Sequence, residues 1–558
     1  MVRRIVNFIH KEVRGLHEAA YLLGLFAIFS GLLALIRDRI LTHSFGAGEL
    51  LDVYYAAFRI PDLIFVSIAS LVSVYALIPF LAEKLETSRD EGRRFLSSIF
   101  TSFSLLILGV SGLVFFLVPT FLNFFFPGLA EGALYNDLVL LTRVLLIQPI
   151  LLGVSALYAS VTQTYQKFIL YAISPLLYNV GIIIGVIFFY PTFGILGLGY
   201  GVILGAFMHM AIQVPFIVKN KFFPRFTFAF NFAEVWRVAS ASIPRTIALS
   251  ANQVVLLLMA AFASIMAPGS IAIFNLSFHL QSIPISIVAV SYSVAAFPTL
   301  AKLFSNGEKE KFFEQVTTAA RHIIFWSLPV IALFVVLRAQ IVRVILGSGE
   351  FDWDDTRLTA AALALFAISI VAQGIVMLLV RGYYASGNTR KPLVVNVVSS
   401  ALAILFAYIL VQLFVSVESV QMFVERLLRV EGLVGTEVLM LPLGFSIAML
   451  INAVVLTILF QKDFRGFSRG LYRVLFQSGI SAIAMGFTAY LFLNILAGLV
   501  DINTFIGIFS QGFLSGFAGI VVGVVFLKIM GNEEIDVAWR SIRRKFWKAK
   551  TIASGEEV

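Results

Sequence analysis

The sequence predicts an all-α polytopic membrane protein with about 14 transmembrane helices. Two observations predict this class. Of the 558 residues, 60% are hydrophobic and 13% are charged, and 55 are Phe. So apolar a chain lacks the polar side chains to cover a soluble exterior. The apolar residues also run continuously over lengths that suit membrane helices, without the alternating ten-residue segments of a membrane β-barrel.

Each span is predicted from one apolar stretch close to the roughly 20 residues that cross the hydrocarbon. Short polar breaks separate the stretches. The predicted limits are 19–42, 52–82, 95–125, 136–160, 168–190, 193–217, 234–263, 269–300, 312–338, 356–382, 392–415, 438–460, 471–498 and 503–529.

Basic residues recur in every second connection, as Lys84 and Arg93 do after the second span. The connections 126–135 and 264–268 carry no Lys or Arg. Because cytoplasmic loops are enriched in Lys and Arg, this alternation predicts that both termini are cytoplasmic. The net charge of +10 is therefore interpreted as membrane topology, with no nucleic-acid partner.

The two ends of the chain are predicted to lie at the cytoplasmic surface. Residues 1–18 place basic side chains among apolar ones, as an amphipathic surface helix does. Residues 531–558 form a basic cytoplasmic tail. The connections 339–355 and 416–437 mix Arg with acids, and the second is predicted to hold an external amphipathic segment.

A weak internal duplication predicts two lobes. The motif at Pro79 returns at Pro298, an offset of 219, and the motif at Tyr158 returns at Tyr384, an offset of 226. An even number of helices per repeat gives parallel halves, which usually enclose a central cavity that opens alternately to either side. We therefore expect two six-helix lobes, followed by two extra helices. The predicted segments are 19–218 for the first lobe, 219–462 for the second and 463–530 for the extra helices.

Ionisable side chains inside spans are costly in lipid and are candidates for function. Arg37, Arg59 and Arg245 each lie several residues inside a span. The planar guanidinium stays charged and donates paired hydrogen bonds, which suits a phosphate. A cavity with more Arg than carboxylate should attract an anion, so we predict an anionic headgroup as the cargo. The alternative is that these residues snorkel or pair across helix contacts. Asp38 and His279 complete the predicted substrate-binding set.

A second set of residues is predicted to gate the cavity or to bend its helices. Asp52 lies at the start of the second span, seven residues before Arg59, and can position it or act as a gate. Glycine and proline allow turns and kinks. The predicted hinge residues are Gly46, Gly48, Pro61, Pro244 and Pro284.

Several kinds of chemistry are missing from the sequence. There is no Cys, which excludes disulfides and thiolate metal sites. There is also no GxxxxGK[ST] loop for ATP, no HExxH motif and no clustered metal-ligand set. We therefore predict no enzyme activity, no cofactor and no metal.

The motifs together resemble the lipid II flippase family (MurJ/MviN) of the MOP exporter superfamily. The resemblance begins with Arg37-Asp38, the run Ser44 to Gly48, Asp52, and the run Ala57 to Pro61. Later matches keep the same order over residues 25 to about 395. They are Phe168 with Pro175 and Asn179, Gly194 to Gly205, Pro244 to Thr246, Gly347 to Ala361, and Tyr384 to Pro392.

The resemblance implies a V-shaped pair of lobes around a cationic cavity in the bacterial inner membrane. The last two helices would form a groove for the polyprenyl tail. The cargo would be lipid II, the undecaprenyl-diphosphate-linked precursor of peptidoglycan and hence of the cell wall and cell shape. Transport would proceed by alternating access, with membrane lipids and cell-wall synthesis enzymes as further partners.

This chain departs from the family pattern at several cavity positions. Gly31 stands where the family has Arg, and Phe65, Val66 and Ser70 replace a basic pair and an acid. His279 aligns with a cavity Arg. The alternatives are therefore another polyprenyl-linked glycan or a drug as cargo of a MOP exporter, or a non-transporting membrane scaffold. The later spans contain no clear buried carboxylate, so no sodium site is expected.

Overall fold

The computed structural model describes residues 16–72, 74–227, 231–464, 470–501 and 504–547, and every regular element in these ranges is helical. A helix satisfies its backbone hydrogen bonds within one segment, which lipid requires. The α-helices α1 to α24, in chain order, are Leu16–Phe45, Glu49–Ile64, Val74–Thr87, Arg89–Phe125, Pro127–Ala130, Tyr135–Leu145, Ile147–Thr164, Phe168–Ile184, Tyr190–Phe193, Ile195–Ala211, Val214–Lys219, Phe232–Ser264, Ser270–Pro284, Ser291–Ser305, Lys309–Val336, Arg338–Ile345, Trp353–Ala367, Ile370–Ala385, Arg390–Ser416, Glu418–Leu428, Met440–Asp463, Leu471–Ala497, Phe505–Ile529 and Glu533–Trp547.

The predicted all-α membrane class is confirmed. In the described ranges, 11 helices are long and apolar enough to cross a membrane, and α17 with α18 makes a twelfth if this pair, bent by 44°, is one span. The predicted spans 19–42 and 52–82 are helical as well, over α1 and over α2 to α3. The predicted count of 14 is therefore approximate.

Two of the predicted hinge prolines lie just before wide helical turns. Pro61 lies near the end of α2, and a π-helical segment follows at Phe65–Ala69. Pro284 ends α13 and is followed at once by a π-helical segment, Ile285–Val290. Proline has no N–H to donate, so the local hydrogen-bond pattern is easily changed near it. At Pro244, in contrast, the backbone of α12 stays α-helical.

The chain divides into two compact units. The first comprises Met1–Leu276, Ile345–Leu358 and Asn396–Gly444, and the second comprises Ser277–Val344, Thr359–Val395 and Phe445–Val558. These units are groups of mutually packed residues. The lobes 19–218 and 219–462, which rest on the sequence duplication, stay a prediction.

In the first unit, α8 and α10 approach closely through glycines. A Cβ on Gly181 would lie 2.2 Å from the Cα of Gly205, and one on Gly185 would lie 2.6 Å from the Cα of Gly201. Small residues four positions apart allow two membrane helices to pack backbone against backbone. This contact fixes α8, which carries Asn179 of the candidate site.

The second unit has an aromatic core. Phe312, Tyr383 and Phe460 are fully buried in one cluster, and the ring centroid of Phe464 lies 4.6 Å from that of Phe460. Tyr383 donates a hydrogen bond to Asp463 Oδ2 at 2.8 Å, and Lys391 Nζ contacts both oxygens of that carboxylate at 2.6 Å. The core therefore joins α15, α18 and α21.

Three surface segments were also predicted. The segment within 416–437, which the sequence predicts to be amphipathic and external, contains the helix α20, and its external location stays a prediction. The cytoplasmic helix at 1–18 lies outside the described residues, except for residues 16–18, which begin α1. In the basic tail, residues 533–547 form α24, and residues 548–558 lie outside the described part of the chain.

Candidate functional site

Arg37 and Asp38 pair with each other in the second half of α1. Arg37 Nε and Nη2 donate to Asp38 Oδ1 at 2.9 and 2.7 Å, and Nη1 donates to Asn179 Oδ1 of α8 at 3.0 Å. The Asp38 side chain is 4% exposed and that of Arg37 is 17% exposed. This is the paired arrangement that the sequence left open as the alternative to a ligand-facing cation.

Arg59 lies in the second half of α2 and is 8% exposed. Its Nη2 donates to Asn275 Oδ1 of α13. Asp62, one turn further on, interacts with the Arg59 charge and accepts a hydrogen bond from Gln148 Nε2 at 3.3 Å. Arg59 Nε and Gln148 Oε1 are buried without a hydrogen-bond partner. An unused buried donor or acceptor costs about 1–3 kcal/mol, so both atoms favour a polar ligand or water.

These pairs form one polar group. The charges of Arg37, Asp38 and Asp62 all act on the Tyr54 hydroxyl of α2. We call Arg37, Asp38, Arg59 and Asp62 the α1–α2 charge cluster. With both acids ionised its formal charges cancel. The α1–α2 charge cluster alone therefore does not supply the net positive interior that the sequence predicts.

Four neutral side chains complete the α1–α2 charge cluster: Tyr54, Gln148, Asn179 and Asn275. Sequence reasoning used Asn179 only as part of the family resemblance and did not single out the others. The usable signal was an amide within an apolar span. An amide there is costly without a hydrogen-bond partner, as a charge is.

Asp52 holds the start of α13. It is 3% exposed, and its Oδ2 and Oδ1 accept hydrogen bonds from Gly269 N at 2.6 Å and Ala272 N at 2.7 Å. The first N–H groups of a helix have no partner within the helix, and a carboxylate satisfies them and complements the helix dipole. Asp52 thus joins α2 to the start of α13, and a contact between two helices of this kind suits a gate.

The turn between α1 and α2 is joined to the first turn of α17 and to the segment before it. Gly46 has φ of 60°, and a Cβ there would lie 2.8 Å from the Glu350 carbonyl oxygen. Ala47 N donates to Asp355 Oδ2 at 3.0 Å, and Glu350 N donates to the His43 carbonyl at 3.0 Å. Gly46 is therefore required as glycine by its left-handed backbone and by this close approach.

We call the contacts of His43, Ala47 and Asp52 the 43–52 latch. Gly269 belongs to it because its φ is 90° and a Cβ there would lie 1.8 Å from the Ala47 carbonyl oxygen. Gly48 has φ of −111°, an ordinary value for any residue. Of the two predicted hinge glycines, only Gly46 has a conformation that demands glycine.

Arg245 and His279, the other predicted substrate-binding residues, lie on α12 and α13. Arg245 belongs to the first unit and His279 to the second. Both side chains are half-buried, and the His279 carbonyl accepts a hydrogen bond from Ser282 Oγ at 2.6 Å. The structure thus brings Arg37, Asp38 and Arg59 into the charge cluster and places Arg245 and His279 on neighbouring stretches of chain.

Hydroxyl groups join α12 to the residues that follow α2. Ser70 Oγ donates to Thr246 Oγ1 at 2.8 Å, and the hydroxyls of Ser67 and Ser250 lie 3.0 Å apart. Ser70 is one of the positions at which this chain departs from the charged family pattern. A neutral seam therefore stands where the family pattern has charges.

An ion pair joins the last turn of α3 to the first turn of α12. Lys84 Nζ lies 2.7 Å from Glu234 Oε1, and this hydrogen bond raises the pKa of Lys84. One turn away, the Arg237 guanidinium lies 5.3 Å from the centroid of the Phe80 ring. Both contacts lie within the first unit.

A shallow and open apolar groove runs along α22, lined by Tyr472, Leu475, Phe476, Gly479, Ile480 and Ile483. On α23, four exposed phenylalanines stack at successive turns, with centroid distances of 6.3, 5.9 and 6.4 Å. Both surfaces suit a long hydrocarbon chain. Within the part of the chain that the structure describes, no three His, Asp or Glu residues are grouped as metal ligands.

Comparison with known proteins gives a consistent result. The family model described as "Lipid II flippase MurJ" matches residues 41–509. A relative from Buchnera aphidicola subsp. Acyrthosiphon pisum, named "Probable lipid II flippase MurJ", is 28% identical over 383 residues, which cover 66% of this chain and 73% of the relative.

Solved structures show the same fold. "Lipid II flippase MurJ, inward closed conformation" superposes with a TM-score of 0.74 at 22% identity, covering 92% of this chain and all of the other. The inward-facing conformation of a multidrug resistance MATE family transporter of the MOP superfamily gives a TM-score of 0.63 at 14% identity, covering 79% of this chain and 96% of that one.

Proposed function

The chain belongs to the lipid II flippase MurJ family, and from this premise we propose that it moves lipid II from the cytoplasmic to the outer leaflet by alternating access. The observation that carries the proposal is the family match, which spans residues 41–509 and so includes both sequence repeats. The family is one of transporters, not of enzymes. Apolar helices and family membership together indicate a multi-pass inner-membrane protein.

Arg37, Arg59 and Arg245 are proposed to bind the lipid II diphosphate, with His279 as a secondary contact and Asp38 as the residue that positions Arg37 in the substrate-binding set. In the charge cluster, Asp38 holds Arg37 in place of a ligand. A diphosphate that competes for the guanidinium offers more charge than the carboxylate and the same two-oxygen geometry.

The 43–52 latch is proposed to be the outer gate. The basic pattern of the connections puts the α1–α2 turn on the outer side, where Asp52 ties α2 to the start of α13. Lys84 and Glu234 then lie on the cytoplasmic side. Asp52 acts as the gate residue, Gly46 as a required turn, and Gly48, Pro61, Pro244 and Pro284 as the positions that allow the helices to bend.

The remaining assignments follow from the same topology. Both termini are proposed to be cytoplasmic, the lobes to comprise 19–218 and 219–462, and residues 463–530 to hold the polyprenyl tail. The groove of α22 and the stacked phenylalanines of α23 support the last assignment. Cell-wall synthesis enzymes are proposed as partners that receive the flipped precursor.

The experiment that tests this function replaces Arg37 with Ala. We expect the variant to insert normally but to fail to rescue a strain depleted of its own lipid II flippase, and to lose lipid II flipping in proteoliposomes. Arg143→Ala is the matched control, because Arg143 lies over the Phe115 ring, outside the charge cluster. Normal flipping by Arg37→Ala would remove Arg37 from the mechanism. Transport of another polyprenyl-linked glycan, but not lipid II, by the parent protein would support the alternative cargo.

A further inference from the structure

The start of the C-terminal helix α24 is built into the second unit. Asn532 Oδ1 accepts a hydrogen bond from Ile535 N at 3.1 Å, and Asn532 Nδ2 donates to Gln477 Oε1 at 2.9 Å. Ile535 is 9% exposed and belongs to the core cluster that contains Val474 and Leu527. The first turn of α24 is therefore anchored to α22 and α23.

Arg321 of α15 contacts two of the three acidic side chains of that first turn. Its Nε donates to Glu534 Oε1 at 2.6 Å and its Nη2 donates to Glu533 Oε2 at 2.7 Å. Glu534 is 4% exposed, so its contact with Arg321 is partly shielded from water, whereas Glu533 is 62% exposed. After Asp536 the sequence of α24 carries only basic charges, at Arg540, Arg543, Arg544 and Lys545.

The spacing of four apolar residues of α24 predicts one helical stripe. Ile535, Trp539, Ile542 and Phe546 are spaced by four, three and four residues, which is the spacing of one helical stripe. The stripe begins in the core at Ile535, but Trp539 is already 58% exposed. An apolar stripe with basic residues on its flanks is typical of helices that lie in the membrane plane.

The position of Trp539 relates this stripe to the membrane boundary. The Lys528 ammonium lies 5.4 Å from the centroid of the Trp539 ring. Lys528 is in the last turn of α23, where the apolar span ends. Because Trp and Lys are the side chains that mark the membrane–water interface, the exposed stripe starts at that level.

We propose that α24 is an in-plane membrane helix that binds anionic phospholipid headgroups. The apolar stripe enters the headgroup region and the four basic residues contact lipid phosphates. Arg321 holds the first turn of α24 against α15. Each basic residue near an anionic surface raises the ratio of membrane-bound to free helix by roughly fivefold. Removal of three basic residues should therefore lower this ratio strongly. This inference goes beyond transport and holds for any cargo.

The test uses the natural absence of Cys from the chain. An NBD fluorophore is attached to Ile542→Cys in the full-length protein, reconstituted in vesicles of phosphatidylcholine alone or with 30% phosphatidylglycerol. We expect blue-shifted emission and protection from a water-soluble quencher in the anionic vesicles. The matched control, a probe at Ser541→Cys off the apolar stripe, should stay accessible in both.

The charge requirement is tested in the same preparation. Replacing Arg540, Arg543 and Arg544 with Gln should lower the ratio of protected to accessible probe by roughly fivefold for each residue. High salt should have the same effect on the protein without these substitutions, because it screens surface charge. Protection that is equal in both vesicle types, or unchanged by charge removal and by salt, would overturn the proposal.

Discussion

Asp52→Asn is expected to weaken the 43–52 latch and to populate the outward-open state. Asn keeps one acceptor oxygen and therefore loses one of the two hydrogen bonds, from Gly269 N at 2.6 Å or Ala272 N at 2.7 Å. The backbone N–H that loses its acceptor is buried, and an unsatisfied buried donor costs about 1–3 kcal/mol. Taking about 2 kcal/mol, the ratio of open to closed molecules should rise roughly 30-fold.

The assay follows the accessibility of Ala47, which is 7% exposed in the latch. Because the chain has no Cys, Ala47→Cys provides a unique thiol for a membrane-impermeant maleimide applied from the outside. The labelling rate reports the population of the open state as long as opening and closing are faster than the reaction. With Asp52→Asn added, the rate should rise by up to roughly 30-fold, in line with the population shift.

The matched control is Asp137→Asn. Asp137 is a half-buried acid in the first turn of α6, and its removal should leave the labelling of the Cys at position 47 unchanged. An Asp52→Asn protein that inserts and purifies normally, yet labels no faster than the parent, would refute the gate. Faster labelling in both variants would show a general loosening of the fold.

Three further predictions concern other parts of the structure. Gly269→Ala should lower the melting temperature strongly and reduce the free energy of unfolding by about 3 kcal/mol or more. Gly269 has a φ of 90°, and a Cβ there would lie 1.8 Å from a carbonyl oxygen. A melting temperature within about 2 °C of that of the parent would contradict this prediction. Gly479→Leu fills the α22 groove at a position where a Cβ meets nothing within 4 Å. Flipping of full-length polyprenyl substrates should fall severalfold, while flipping of a short-chain analogue and the melting temperature should change little. Equal transport of both chain lengths by the variant would exclude the groove as the binding site of the polyprenyl tail. The hydrogen bond from Arg321 holds the pKa of Glu533 below its ordinary value. This contact therefore stabilises the fold above pH ~4.5, and the stabilisation is lost as the pH falls through the lower pKa of the folded state. On acidification below pH ~4.5, the melting temperature of the parent should drop more than that of Arg321→Gln, and equal drops in both proteins would show that the contact does not stabilise the fold.

The sequence by itself determined the class of protein and the approximate positions of its long apolar helices. Each predicted span overlaps helices of the structure, from α1 to α23, because the thickness of the hydrocarbon sets how many consecutive apolar residues a span needs. Ionisable residues in those spans marked Arg37, Asp38, Arg59 and Asp52 before any contact was known, because charges in lipid are costly. These are local properties, and a local pattern is enough to predict them.

Only the tertiary structure decided which partners these residues take. Asp52 lies on nearly the same helix face as Arg59, but it binds Gly269 N, 217 residues away in sequence. Arg37 is held by Asp38 beside it and by Asn179, 142 residues away. Helical periodicity states which face a side chain occupies, but not which helix packs against that face. That choice depends on close packing between distant segments, and it is why the charge cluster and the 43–52 latch appear only in the folded protein.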